Sequence, residues 1–413
     1  MQAKNLLNVA DAVLWFFILK LLMGGIPATA QTETVLYSFG ATGTDSTFPF
    51  AGLFLDASGN LYGTSVSGGV NNAGSVFELT PQAGDGWSET VLHSFGGGSD
   101  GGNPSSTLIA DATGVLYGTS SSGGSFGYGT VFKLGKSGNT WSDVVLHNFN
   151  FNGKDGYVPQ GGGLAMDAAG NLYGTTPSGG LYNLGTVFEL VPKTGGGWSE
   201  TILHSFGNHS DGVSPMGNLI LDAAGNVYGT TLGGGSQSCG TVFELIHKPG
   251  GGWVEKILHH FNNKAFDGCY PSAGLVFDAA GNLYSTTQAG GAFNNGTVFE
   301  LLPQVNGSWS KTLLHSFGSG SDGAAPNAGL TFDASGNLYS TTLIGGAFNG
   351  GVVFKLTPQL GGSWTETILH SFGSGTDGAS PTSGLVFDAA GDLYSTTQAG
   401  GTYGAGTVFE VTP

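Results

Sequence analysis

The chain has 413 residues, 77 of them glycine, and only 9% are charged. Without a strict Gly-X-Y period it is not collagen, and an apolar fraction of 39% with 27 Phe, 13 Tyr and 7 Trp offers too much burial for a disordered chain. The net charge is −17 with 11 basic residues and no Lys/Arg cluster, so a phosphate backbone or an anionic membrane surface would repel it, and no nucleic acid is expected as a partner.

The N-terminal 30 residues differ from everything after them. Lys4 precedes an apolar run from Ala12 to Met23, which gives way to Gly24-Gly25-Ile26-Pro27 and then Ala28-Thr29-Ala30. A basic start, a short apolar core and a small-x-small end predict a secretory signal over 1–30, cut after Ala30. Lys20 interrupts the run, which is too short to span a bilayer of ~30 Å. The mature chain is therefore expected to be secreted or periplasmic, with no membrane attachment after cleavage. Cys239 and Cys269 suit an oxidising compartment.

From there the chain repeats. The motif D-x-x-G-N-L-Y puts Asp56, Asp111, Asp167, Asp222, Asp278, Asp333 and Asp388 in register. A second marker, Asp-Gly shortly before Pro, recurs at Asp100, Asp155, Asp211, Asp267, Asp322 and Asp377, with the degenerate copy Asp45-Ser46 ahead of them. Both markers count seven. Each repeat of ~55 residues holds four strand-like runs: A-G-L-x-x-D, G-N-L-Y-G-T-T, G-T-V-F-E-L and W-S-E-T-V-L-H-S-F. These features predict an all-β, seven-bladed β-propeller over 31–413 with four antiparallel strands per blade. The repeats begin with Glu33-Thr34-Val35-Leu36-Tyr37-Ser38-Phe39, the run that elsewhere follows Trp, and end on G-T-V-F-E-V. The A-G-L run is then the inner strand, and the N-terminal run supplies the outermost strand of blade 7 and closes the ring.

The third repeat, Asp167-Ala168-Ala169-Gly170-Asn171-Leu172-Tyr173-Gly174-Thr175-Thr176 followed by Gly185-Thr186-Val187-Phe188-Glu189-Leu190, resembles the GloVer (Gloeobacter–Verrucomicrobia) repeat family of exported bacterial proteins. The resemblance covers the whole mature chain and implies export and a repeat architecture, with no established activity. More distantly the strand order is similar to NHL-type propellers.

Residues present in every blade are expected to serve the scaffold. The Asp of D-A-A-G-N reads as a turn cap. The six His of L-H-S-F (His93, His147, His204, His259, His315 and His370) share a strand face with the Trp and Phe of their own run, and Tyr37 replaces them once, which predicts packed aromatics rather than ligands. The connector aspartates read as Asp-Gly turns. Their functional alternative is a Ca²⁺ site, for which Asp155 and Asp267 are the candidates, and no other cofactor is expected. Cys239 in the Gly-Gly loop of blade 4 and Cys269 in the next connector are expected to form a disulfide. Gly123-Gly124-Ser125-Phe126-Gly127 matches G-x-S-x-G but lacks the strand-to-helix turn that motif needs.

The Gly-Gly loops carry Asn71, Phe126, Tyr182, Gln237, Phe293, Phe348 and Tyr403, and nearby connectors add Phe48, Tyr157 and Tyr270. Placed around the channel mouth, these rings could stack on sugars or apolar ligands, or could simply cover their own loops. Two readings of function follow. One is a non-catalytic binding or structural protein that engages a glycan or cell-surface polymer through this face. The other is an extracellular polysaccharide lyase or hydrolase at the channel mouth, with Lys154, Lys264, Cys269 and Tyr270 as the residues that break the repeat.

Overall fold

The computed structural model describes residues 32–413 apart from 85, 139, 208–209, 263, 265 and 319–320; the expected signal segment over 1–30 lies outside the described residues. The described residues contain strands and no helix. They form seven antiparallel sheets of four or five strands, arranged as the blades of a propeller, and three two-stranded ribbons beside them.

Blade 3 shows the plan. Its strands run Ala165–Met166, Leu172–Thr176, Thr186–Pro192 and Trp198–Ser205, hydrogen-bonded in that order from axis to rim. The third strand, T-V-F-E-L, is buried on both faces because a blade is sandwiched between two neighbours. Val187 packs towards blade 4 and Phe188 towards blade 2. The same division gives seven apolar clusters, one at each junction between blades. Every cluster contains one aromatic pair, the L-H-S-F Phe of one blade against the T-V-F-E-L Phe of the next. Ring centroids are 4.8–5.3 Å apart, from Phe372–Phe409 to Phe149–Phe188. Gly185, with φ +109°, lets the next connector close over the blade, since a Cβ there would lie 2.5 Å from Pro215 Cδ.

Closure follows the expected route. Thr32–Ser38 pairs antiparallel with Thr407–Thr412 as the outermost strand of blade 7, outside Leu393–Thr397 and Val386–Phe387. Phe39 then packs on Phe77 of blade 1, so the two ends of the ring meet through the same contact as every other junction.

The inner strand departs from expectation. Only two residues of the A-G-L-x-x-D run pair in each blade, and a separate short segment, such as Gly156–Tyr157 against Ser178–Gly179, pairs near the other face. Between them the chain leaves its own sheet and packs against the neighbouring blade. A Cβ on Gly162 would stand 2.9 Å from the carbonyls of Met216 and Gly217, so backbone-to-backbone packing around the axis displaces ladder pairing.

Candidate functional site

The most elaborate polar chemistry lies at the rim, where outermost strands meet the connectors. In W-S-E-T-I-L-H-S the Trp, Glu, Ile and His are two residues apart and should share one face of a flat strand. They do not. Val187 pairs with His204 and Phe188 with Ile202, which leaves Leu203 as an extra, bulged residue. The bulge inverts the alternation. Trp198 and Ile202 face blade 2, while His204 and Phe206 face blade 4. The expectation that each His shares a face with the Trp of its own run is therefore corrected, with the bulge as the reason. The same register shift occurs in all seven blades.

One outermost strand thus offers a Glu to the preceding blade and a His to the following one. At the junction of blades 2 and 3, His147 Nε2 lies 3.3 Å from Asp155 Oδ2 of its own connector and 3.3 Å from Glu200 Oε1 of blade 3. At the next junction His204 Nε2 is 2.9 Å from Asp211 and 3.6 Å from Glu255. Between blades 5 and 6, His315 is 3.3 Å from Asp322 and 3.6 Å from Glu366. The ring edge of each His rests on its Phe, as expected of a packed aromatic; the polar tip, which sequence reasoning left without a partner, meets two carboxyl groups.

The remaining four junctions vary the theme. His93 meets Asp100 beside Asp143, and His370 meets Asp377 beside Glu33. Tyr37 donates its hydroxyl towards Asp45 at 3.2 Å and Glu89 at 3.3 Å. Between blades 4 and 5 the Glu position holds Lys311, whose Nζ is 2.8 Å from Asp267 Oδ1 and lies over the rings of Phe261 and Phe299.

Charge follows geometry. Burial, and then the neighbouring Asp155, pushes the Glu200 carboxyl up to about 9. Burial and Asp211 push Glu255 up to about 9 in the same way. Burial also pushes Glu89 to about 8 and Glu33 and Asp143 to about 7. At Asp267 burial again pulls upward, but the bonds from His259 and Lys311 outweigh it and hold the carboxyl below the usual aspartate range.

Of the two candidate Ca²⁺ residues, Asp155 sits in a carboxylate-rich junction, whereas Asp267 has an ammonium group where an ion would sit. Lys154 and Lys264 are exposed, and Lys311 is the lysine that meets Asp267. Sequence reasoning passed over Lys311 and the Glu of W-S-E-T. The available signal was that one outermost-strand position reads Glu33, Glu89, Asp143, Glu200, Glu255, Lys311 and Glu366 around the ring.

The D-A-A-G-N aspartates are saturated caps. Asp167 accepts from the backbone N–H of Ala169 and Asn171 at 2.9 Å, from Asn171 Nδ2 at 2.8 Å and from the Tyr173 hydroxyl at 3.2 Å. Cys239 and Cys269 lie with their sulfurs at bonding distance and their Cα atoms 4.6 Å apart.

The loop aromatics face solvent. Phe126, Tyr182, Phe293, Phe348 and Tyr403 are 48–59% exposed, and Phe48 and Tyr270 are exposed as well. Phe48 and Tyr270 have positive φ, a conformation held by a backbone bond from each to the Gly-Gly loop of the preceding blade. Tyr157 joins Tyr128 and Phe151 in a cluster with centroids 5.3–6.0 Å apart and donates its hydroxyl to Asn183 at 2.7 Å. These rings do not surround the channel mouth. The Cβ atoms of Phe348, Tyr182 and Tyr403 stand beside Gly373, Gly207 and Gly40, just beyond the ends of outermost strands, because the Gly-Gly loops join the second and third strands and bend outward. The axial cavity, about 420 Å³, is lined instead by the arches before the inner strands, including Thr107, Asn218, Ser272, Asn327 and Thr382. No ionisable side chain lines it among the described residues. Its polar groups are partnered: Ser272 donates to Asn327 Oδ1 at 2.6 Å, and Gln288, outside the lining, donates to the same oxygen.

Among solved structures, an ancestral GH74 enzyme is 15% identical with a TM-score of 0.57 over 93% of this chain, which spans 51% of that chain's length. A protein of unknown function from Dyadobacter fermentans is 11% identical, with a TM-score of 0.42 over 82% of this chain and 98% of its own. A putative oxidoreductase (glucose dehydrogenase) from Thermus thermophilus is 15% identical, with a TM-score of 0.41 over 92% of this chain and all of its own. At such identities the first likeness speaks for the fold alone. No curated protein matches. The model of the Gloeobacter/Verrucomicrobia repeat matches residues 25–243 and 219–413, and the chain belongs to that family.

Proposed function

We propose that the chain is an exported binding protein that holds a neutral glycan or cell-surface polymer on its Gly-Gly-loop face. The observation that carries this reading is the set of solvent-facing rings, repeated on one face in five of seven blades, at Phe126, Tyr182, Phe293, Phe348 and Tyr403. Rings that merely covered their own loops would be buried by them. A flat sugar face stacks on such a ring, and a repeating polymer matches a repeating row of rings better than a single small ligand does. The cluster of Tyr128, Phe151 and Tyr157 adds a broader platform between blades 2 and 3, flanked by Phe126. A net charge of −17 favours an uncharged polymer over an anionic one. A lyase or hydrolase centred on the axial cavity would have to draw its acid and base from elsewhere, since the lining supplies neither.

The test is affinity electrophoresis and a glycan array with the mature protein. Binding to at least one neutral polysaccharide is expected, and the triple variant Phe293→Ala, Phe348→Ala, Tyr403→Ala should bind on the order of 100-fold more weakly, at roughly 1 kcal/mol per ring. Unchanged binding in that variant, with its melting temperature intact, would refute the reading.

A further inference from the structure

We propose that the junctions between blades 2 and 3, 3 and 4, and 5 and 6 are binding sites for a divalent transition-metal ion of the Zn²⁺ class. Each ion is held by the His Nε2 and connector Asp of one blade and by the outermost-strand Glu of the next. The three sets are His147, Asp155 and Glu200; His204, Asp211 and Glu255; and His315, Asp322 and Glu366. In each, the three ligand atoms lie within 4.8 Å of one another.

Four observations converge. First, the His–carboxylate separations of 3.3 and 3.3 Å at the first site match the edge of a tetrahedron with bonds of about 2.0–2.1 Å, which is about 3.3–3.4 Å.

Second, the ionised set of side chains has more acceptors than donors. A single Nε2–H cannot serve two carboxyl groups, and it is the Glu oxygen that goes without. Glu200 Oε1 and Glu366 Oε1, the oxygens that face the imidazole, are buried with no hydrogen-bond donor among the described residues, and so is Glu255 Oε1, whose companion Oε2 faces His204. Asp155 is only 4% exposed, and its Oδ1 is also unpartnered. Its Oδ2, by contrast, accepts from the backbone and side chain of Asn150, and these two bonds hold the carboxylate in one orientation towards the His.

Third, the molecule contains its own control. Lys311 stands at the Glu position between blades 4 and 5, and its Nζ contacts both the Asp267 carboxylate and the Asp267 carbonyl. A cation tethered by the chain there takes the place that a bound cation takes at the other three.

Fourth, one imidazole nitrogen with two carboxylate oxygens is a donor set for Zn²⁺ and its neighbours. Ca²⁺, with its need for six to eight oxygens, fits it poorly. The other three junctions do not gather a set. Tyr37 replaces the His at one, Asp143 is a methylene shorter than Glu at another, and Glu33 does not converge with His370 and Asp377. Each bound ion would tie two blades together at the rim.

The experiment is equilibrium dialysis of untagged mature protein against micromolar Zn²⁺, read by elemental analysis. Up to three Zn²⁺ per chain are expected. Glu200→Lys, Glu255→Lys and Glu366→Lys should each lower the count by one, and the triple variant should retain none. These variants copy a junction the chain already builds, so circular dichroism should show the fold kept; Glu200→Gln, Glu255→Gln and Glu366→Gln serve if it is not. Co²⁺ in place of Zn²⁺ should give tetrahedral visible bands that vanish in the triple variant. A wild-type chain that retains no Zn²⁺, a count indifferent to the substitutions, or displacement of Zn²⁺ by millimolar Ca²⁺ would each overturn the proposal.

Discussion

Between blades 4 and 5 an ammonium group stands where the junction of blades 2 and 3 has a second carboxyl. The surroundings are otherwise alike: a His from one outermost strand, an Asp from the connector, and an apolar floor with one Phe–Phe pair. At the first junction Asp267 is held below the ordinary aspartate range and Lys311 is neutralised by it, although burial draws the lysine down. At the second, Glu200 is pushed up to about 9 and carboxyl oxygens are left without donors. The apolar packing is therefore indifferent to what sits above it. Each junction solves its charge balance separately, by a lysine, a proton or an ion.

The largest effect on this comparison comes from removing one side of two junctions at once. Deleting residues 32–40 takes away Glu33 between blades 6 and 7 and the Phe39–Phe77 contact between blades 7 and 1. It also exposes the edge of Thr407–Thr412. A loss of well over about 5 kcal/mol is expected, since burying a single core Phe contributes about 3–5. Shortening the exposed turn at 193–197 by two residues should cost less than about 1 kcal/mol. Equal melting temperatures for the two deletions would defeat the closure.

Next in size is Lys311→Glu, which converts the exception into the rule. Lys311 has only 9% of its side chain exposed, and removing its charge leaves Asp267 with only His259 of its two ion-pair partners, beside a new carboxyl group. The loss should be about 3–5 kcal/mol in a thermal or denaturant melt. Added Zn²⁺ should restore part of it, because the variant completes a His259, Asp267 and Glu set. A variant as stable as the parent would show that the junction does not depend on charge balance.

The smallest effect is a pH trend, and its sign differs between the two kinds of junction. Glu33 and Asp143 ionise near 7 in the folded chain and Glu89 near 8, all above their values in an unfolded chain of about 4–4.5. Over that window the folded state keeps protons the unfolded state has released. Their contribution is full at acid pH and declines as pH rises from about 4.5 to about 8. Asp267 runs the other way, contributing above the ordinary aspartate value and losing that contribution as pH falls through its lowered one. The melting temperature should drop by a few degrees between pH 5 and pH 8, and Glu33→Gln, Glu89→Gln and Asp143→Asn should flatten the drop. A trend unaltered by those three substitutions would place the titrating groups elsewhere.

The ring of seven and its closure are legible in the sequence because a repeat needs no knowledge of distance. The spacing from Asp56 to Asp388 and the orphan run from Glu33 to Phe39 state both directly. The bulge at Leu203 is not legible. Trp198, Glu200, Ile202 and His204 alternate perfectly, and a bulged leucine looks like any other apolar residue. Missing the bulge hid the junction chemistry, since it puts Glu200 and His204 on opposite faces although their spacing assigns them to one. Sequence reasoning put the loop aromatics beside the connectors, where the Tyr270 and Phe48 N–H groups bond the Gly-Gly loops, yet at the wrong radius. How far a Gly-Gly loop stands from the axis depends on which strands it joins in space, and the arches around Gly162 claim the axis instead.

The inverted alternation of the outermost strand makes every blade a plug on one side and a socket on the other. Such head-to-tail contacts close into a ring or continue as an open helix according to the angle between neighbours, and nothing in the contact itself counts the members. Whole repeats could thus be copied or lost by recombination without any junction having to be invented, because each new copy arrives carrying one half of the contact on either side. The seam where Thr32–Ser38 meets Thr407–Thr412 is what makes this chain a seven.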